Sequence, residues 1–139
     1  MELNNIRHIA ILGAGESGTG SALLAKRKGF DVFVSDGKTI APTFKKELEL
    51  DKIPYEENGH SIQKLLGADL VIKSPGIPDH VAVIQDLVKA GKTLVSDIEF
   101  GSYFTNAKII AITGSNGKTT TTMLTYHLLE KAGLDVMYG

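Results

Sequence analysis

Ile9-Ala10-Ile11-Leu12-Gly13-Ala14-Gly15-Glu16-Ser17-Gly18 is the stretch on which the fold turns. Its four leading apolar residues predict a buried strand. The glycines at 13, 15 and 18 predict a tight turn feeding a helix that runs to Lys26-Arg27-Lys28, before Gly29. The spacing is Gly-x-Gly-x-x-Gly, in which glycine lets the chain turn sharply, approach a phosphate closely and pack a helix against a strand. Taken alone, the pattern serves NAD, other dinucleotides, nucleotide sugars, or nothing more than close helix–strand packing.

Working outward, short β-branched runs alternate with stretches of helical period. Strands are expected over Asp31 to Asp36, Ile53 to Tyr55, Asp69 to Ile72 and Thr93 to Val95. Helices are expected over Thr43 to Leu50, residues 61–66, Val81 to Lys89, and from a cap at Asp97 through Tyr103. A βαβα rhythm of this kind predicts an α/β, Rossmann-like parallel sheet with helices on both faces and right-handed connections. Asp36 follows Gly18 by eighteen residues, near the spacing of an acid that binds a ribose. Ser74-Pro75-Gly76-Ile77-Pro78 stops the fourth predicted strand, because two prolines remove donors that sheet pairing needs. It reads either as a rigid turn or as a ligand loop. Ligands of open parallel sheets bind at the carboxyl ends of the strands, which favours the second reading.

Thr105-Asn106-Ala107 is the expected hinge, dividing a first domain over 1–104 from a second that starts at 105. Beyond it, Lys108 to Thr113 reads as a strand, Gly114-Ser115-Asn116-Gly117-Lys118-Thr119 as a phosphate loop, and Lys118 to Ala132 as a helix. Leu124, Leu128 and Ala132 are the expected core side of that helix, and Asp135 to Met137 reads as a further strand. The loop glycines let backbone N–H groups converge on phosphate oxygens. Lys118 reaches the β and γ phosphates, and the Thr119 hydroxyl is a ligand for Mg²⁺. The full Gly-x4-Gly-Lys-[Ser/Thr] pattern would need glycine at position 112, where this chain has Ile112, so the loop is a variant; the rival reading is a Gly-rich turn with an incidental lysine. One strand, loop, helix and further strand do not close a core, so the second domain is expected to be the truncated start of a P-loop ATPase-type α/β domain.

Composition narrows the partners. A net charge of −1 over 139 residues offers no electrostatic case for nucleic acid or an anionic membrane. With no cysteine, disulfides, thiolate metal sites and a cysteine nucleophile are excluded. No apolar run approaches the ~20 residues of a bilayer span and the start lacks a signal-peptide pattern, so a soluble cytoplasmic protein is expected. His8, His60, His80 and His127 have no ligand spacing and read as surface or helix-side residues. Lys45-Lys46 with Glu47 and Glu49, and Glu56-Glu57, read as solvated faces.

A Gly-x-Gly-x-x-Gly domain, then Ser74-Pro75-Gly76-Ile77, then Ser96-Asp97-Ile98-Glu99-Phe100, then Ala111-Ile112-Thr113-Gly114-Ser115-Asn116-Gly117-Lys118-Thr119-Thr120, resembles the Mur ligases of peptidoglycan synthesis in order and spacing. Asn116, where the L-alanine-adding and tripeptide-recycling branches typically carry His, favours the D-glutamate-adding branch. The chain departs from that branch at Glu16 and Gly37, where an apolar and a hydroxyl residue are expected.

The resemblance implies an ATP- and Mg²⁺-dependent ligase that joins D-glutamate to UDP-N-acetylmuramoyl-L-alanine through an acyl phosphate. It implies UDP-substrate contacts at Gly15, Glu16, Ser17, Gly18, Asp36, Gly37, Lys38, Ser74, Pro75 and Gly76. It implies ATP contacts at Gly114, Ser115, Asn116, Gly117, Lys118, Thr119 and Thr120, with Lys118 catalytic and Thr119 on the metal. The full-length enzyme is expected to be monomeric, and a chain of this extent inactive by itself. The alternatives are another Mur-type ligase, an NAD-binding dehydrogenase-like domain, and a regulatory module that senses UDP-N-acetylmuramoyl peptides.

Overall fold

In the computed structural model, which describes residues 3–139, five parallel strands form one sheet: β1 (His8–Leu12), β2 (Asp31–Ser35), β3 (Tyr55–Glu56), β4 (Leu70–Lys73) and β5 (Leu94–Ser96). Their order across the sheet is β3-β2-β1-β4-β5. The chain leaves β1 toward β2 on one side and later returns to β4 on the other. The topological switch point of a doubly wound fold therefore lies between β1 and β4.

The period of two along β1 explains how one strand serves two cores. Ile9 and Ile11 join Val32, Val34, Leu70, Ile72 and Val95 on one face, covered by Ala22 and Ala25 of α1 (Glu16–Arg27), Leu48 of α2 (Pro42–Leu50) and Phe100 of α5 (Asp97–Ser102). Ala10 and Leu12 join Val71 on the other face, under Leu65 of α3 (Ile62–Leu66) and Ile84 and Leu87 of α4 (Ala82–Lys89). Both faces of a parallel strand are apolar because a helix follows each strand and the helices lie on both sides. Phe100, wholly buried, meets Phe104 edge-on at 5.1 Å between ring centroids and Phe30 at 6.4 Å. These contacts fasten the last helix of the sheet to the turn after α1.

Local chemistry sets the element ends. Lys26 and Arg27 lie in the last turn of α1, where positive charge complements the exposed carbonyls, and Gly29 at φ +90° takes the left-handed turn that follows. Pro42 opens α2 at a position where no intrahelical donor is lost. The cap of α5 is Ser96, not Asp97 as expected from the sequence. The Ser96 hydroxyl accepts the Glu99 N–H at 3.1 Å, while Asp97 accepts the N–H of its neighbour Ile98. A serine one residue earlier reaches the third N–H of the helix, the usual geometry of a capping side chain. Strand β3 is Tyr55–Glu56 rather than residues 53–55, because the Ile53 N–H is taken by the Leu48 carbonyl in closing α2.

The described chain divides into two compact units, one ending at Thr105 and the other spanning Asn106–Gly139. The second holds helix α6 (Lys118–Lys131) and no strand. The strands expected over 108–113 and 135–137 are absent, since a strand exists only through ladder bonds and no described segment pairs with either run. For the same reason Leu124 and Leu128, expected to face a core, are 58% and 61% exposed, and no α6 residue is buried. Among the described residues no helix is long and apolar enough to cross a membrane.

Candidate functional site

The loop after β1 is built by three glycines with three different tasks. Gly13, at φ +90°, is left-handed and donates to the Ser35 carbonyl at 2.9 Å. A Cβ on Gly18 would lie 1.9 Å from the Gly13 carbonyl oxygen, so only glycine lets α1 approach the end of β1 this closely. A Cβ on Gly15 would meet nothing within 4 Å, and Gly15, Glu16 and Ser17 are exposed. Gly15 is the cap of α1, so this open face presents the first backbone N–H groups of the helix, which have no intrahelical acceptor. Donors and helix dipole together give this end the chemistry that suits an anion.

Asp36 follows β2 and stands half-buried beside that loop. One carboxylate oxygen accepts the Ala14 N–H at 2.7 Å and the other the Lys38 N–H at 2.8 Å. Asp36 thereby ties the loop after β2 to the loop after β1, a role beyond the ribose contact expected of it. Ser74, after β4, donates its N–H to the Leu12 carbonyl at 3.0 Å, and its hydroxyl lies 3.4 Å from the Gly13 carbonyl. Pro75 and Gly76 are exposed beyond it, and Lys73 steadies the turn by donating to the Ile77 carbonyl at 2.9 Å. Gly15 to Gly18, Asp36 to Lys38 and Ser74 to Gly76 thus flank the carboxyl ends of β1, β2 and β4.

Three residues read from the sequence as solvent-facing belong to this end of the sheet. His60 is half-buried, with Nδ1 2.7 Å from the Ser35 hydroxyl, and its Nε2 would lie 3.1 Å from a Cβ on Gly37. The wholly buried Ser35 donates to Glu56 at 2.7 Å, and Glu56 also accepts the Ser61 N–H at 2.6 Å. Burial pushes the Glu56 carboxyl up, but hydrogen bonds from Ser61 and Ser35 and the charge of Lys64 outweigh it and hold the group below the usual carboxylate range. Glu57 pairs with Lys45 at 2.7 Å and accepts the Ile40 N–H at 2.8 Å, and these two bonds lower its pKa in that order. Two acids beside an Asn-Gly turn were the available signal. Periodicity does not reveal that the loop folds back on β2.

In the second unit, Gly114 and Gly117 take φ +155° and +77°, and Gly117 caps α6. Lys118 lies in the first turn of α6 and donates from Nζ to the Gly114 carbonyl at 2.6 Å. Ser115, Asn116, Thr119 and Thr120 are exposed around the same helix end. Each residue of the loop is therefore open to a phosphate chain, with Lys118 folded over it.

A cavity of about 340 Å³ opens at the other end of the strands, lined by His8, Asp31, Phe33 and Lys64 among others. It lies at the amino ends of β1 and β2, where doubly wound sheets do not carry their ligands, so the loops above remain the candidate site.

Comparison with known proteins finds relatives of this chain. The family model for the MurD N-terminal domain matches residues 8–83, and that for the Mur ligase middle domain matches 112–139. The UDP-N-acetylmuramoylalanine–D-glutamate ligase of Porphyromonas gingivalis is 57% identical over 128 residues, which is 92% of this chain and 28% of that protein. Its Bacteroides fragilis counterpart is 51% identical over 94% of the chain and 30% of its own length. The chain thus spans less than a third of these relatives. Among solved structures, a murein peptide ligase from Psychrobacter arcticus superposes with a TM-score of 0.66 at 35% identity, over 93% of this chain and 27% of that one.

Proposed function

The chain belongs to the Mur ligase family, and from that premise we propose that it carries the UDP-substrate-binding domain and the start of the ATP-binding domain of a ligase adding D-glutamate to UDP-N-acetylmuramoyl-L-alanine. In this reading residues 1–104 hold the UDP part of the substrate and residues 105–139 begin the ATP-binding part. The observation that carries it is the meeting of three loops, after β1, β2 and β4, around an exposed helix N-terminus at the switch point of the sheet. The identity to D-glutamate ligases supports the UDP substrate over NAD.

The roles follow from the local chemistry. Backbone N–H groups at Glu16, Ser17 and Gly18 take the diphosphate oxygens, and Gly15 leaves the approach open. Asp36 and Ser74 hold the flanking loops in place, and Lys38 brings a positive charge to the exposed edge. On the second unit, the N–H groups of Ser115 to Lys118 cradle the phosphates of ATP, and Lys118 exchanges its Gly114 carbonyl for phosphate oxygens. Thr119 offers one hard oxygen suited to Mg²⁺. Among the described residues no group of three or more His, Asp or Glu could hold a metal, so the ion's other ligands would include the phosphates. The γ-phosphoryl group passes from ATP to the alanyl carboxylate, releasing ADP, and the D-glutamate amine then attacks the acyl phosphate, losing a proton as inorganic phosphate leaves from the tetrahedral intermediate. Lys118 counters the negative charge that builds on the transferring oxygens.

Calorimetric titration of the chain with UDP-N-acetylmuramoyl-L-alanine and, separately, NADH tests the reading. Saturable binding of the first alone is the expected result. Binding of NADH with none of the UDP compound would overturn it in favour of a dehydrogenase-like domain.

A further inference from the structure

Beyond the diphosphate, the three ends β1, β2 and β3 lie in order across the sheet, so a nucleotide with its phosphates on the β1 loop and its ribose near β2 carries its base toward β3. The segment that meets it there is the loop after β3. This loop is stapled to the loop after β2 by backbone bonds from Gly59 to the Asp36 carbonyl and from Asn58 to the Lys38 carbonyl, each 3.2 Å. His60 sits at its end with the Nε2 edge of its ring turned toward Gly37. A side chain at position 37 would crowd Nε2, so glycine there leaves the imidazole edge uncovered.

Proton accounting fixes which imidazole nitrogen is bare. The Ser35 hydroxyl has one hydrogen and donates it to the ionised Glu56 carboxylate at 2.7 Å. The 2.7 Å contact between Ser35 and His60 therefore requires the Nδ1–H of His60 to donate. In the neutral ring this leaves Nε2, beside Gly37, as an acceptor. Asp36, a further acceptor on this edge, has one backbone N–H on each of its oxygens and is held by them in its role of joining the two loops.

We infer that His60 is a base-reading residue, whose Nε2 accepts the imide N3–H of uracil and so distinguishes UDP from CDP compounds. At the same position cytosine carries a lone pair, which would face that of Nε2. The inference rests on the UDP reading of the site, and its test separates the two.

In the ¹⁵N-labelled chain without ligand, long-range imidazole spectra are expected to show His60 as the Nδ1–H tautomer, with the Nε2 resonance moving upfield on addition of UDP. Calorimetry with UDP and CDP is expected to show a preference for UDP that falls about tenfold in His60→Phe, which keeps the ring shape and removes both nitrogens. Ser35→Ala, which keeps His60 but frees its tautomer, is expected to lose part of the same preference and is the deciding variant should His60→Phe fail to fold. An Nε2–H tautomer in the free chain, or a UDP-to-CDP ratio unchanged in the variants, overturns the assignment while leaving UDP binding intact. Absence of UDP binding in the unsubstituted chain overturns both readings.

Discussion

Gly18→Ala adds one methyl group, and the structure states what that methyl meets. The new Cβ would lie 1.9 Å from the Gly13 carbonyl oxygen, 2.9 Å from its carbon and 2.8 Å from the Ser74 hydroxyl. Two of these three atoms are backbone at the end of β1, in the centre of the sheet, so no side chain can swing away to make room. Restoring an ordinary contact of about 3.2 Å requires α1 to withdraw by more than 1 Å from a face where Thr19, Ala22 and Ala25 are almost wholly buried. Overpacking of a mobile neighbour costs about 1–3 kcal/mol, and with backbone as the neighbour the upper end, about 3 kcal/mol, is expected. For a domain of this size that lowers Tm by roughly 12 °C or more. Gly20→Ala is the matched control: it lies in the same helix, and its Cβ would meet nothing within 4 Å. There the higher helix propensity of alanine should stabilise by about 0.5–1 kcal/mol. Thermal and urea unfolding followed by circular dichroism would measure both. A Gly18→Ala variant within 1 kcal/mol of the parent, or two variants shifted alike, would refute the account of Gly18 as the helix–strand contact.

Gly15→Ala should change stability by less than about 1 kcal/mol, since the site is a cap with open space around it, yet weaken binding of a UDP compound by about tenfold or more; calorimetry beside a melting curve separates the two. Asp36→Ala leaves the Ala14 and Lys38 N–H groups without their acceptor and should cost about 1–3 kcal/mol in urea unfolding, with a parallel loss of UDP affinity. Acid should destabilise the first unit below about pH 4.3. Glu56, Glu57 and Asp69 all titrate lower folded than unfolded, so the unfolded chain takes up protons first as pH falls, and the stability these carboxylates contribute at neutral pH is lost through that window. Urea midpoints that stay constant from pH 7 to pH 3 would count against those hydrogen bonds.

The sheet was legible because its signals are local. Ile9 to Leu12 and Leu70 to Ile72 are short runs of apolar residues bounded by turn formers or polar residues, and the alternation with helical stretches leaves a parallel sheet as the simplest packing. The Gly13 to Gly18 spacing was readable for the same reason, since the positive φ of Gly13 and the contact of Gly18 with the Gly13 carbonyl both arise within one turn. What escaped was partnership over distance. Lys45 and Glu57 looked solvated because nothing in either neighbourhood announces the other, and His60 looked incidental because its significance depends on Ser35, twenty-five residues earlier. Lys108 to Thr113 failed in the opposite direction. Its β propensity is strong, but propensity describes a fit to a pleated surface and forms no strand without a neighbour.

The hydrogen bonds that join the loops also bear on the thermodynamics of recognition. Gly13 to Ser35, Ala14 to Asp36, Ser74 to Leu12 and Gly59 to Asp36 connect the loops after four different strands into one cross-linked rim. The conformational entropy of these loops is surrendered when the domain folds, not when a nucleotide arrives. Binding should therefore proceed with little change in backbone amide exchange around the rim and a small heat-capacity change, as for a key meeting a lock already cut.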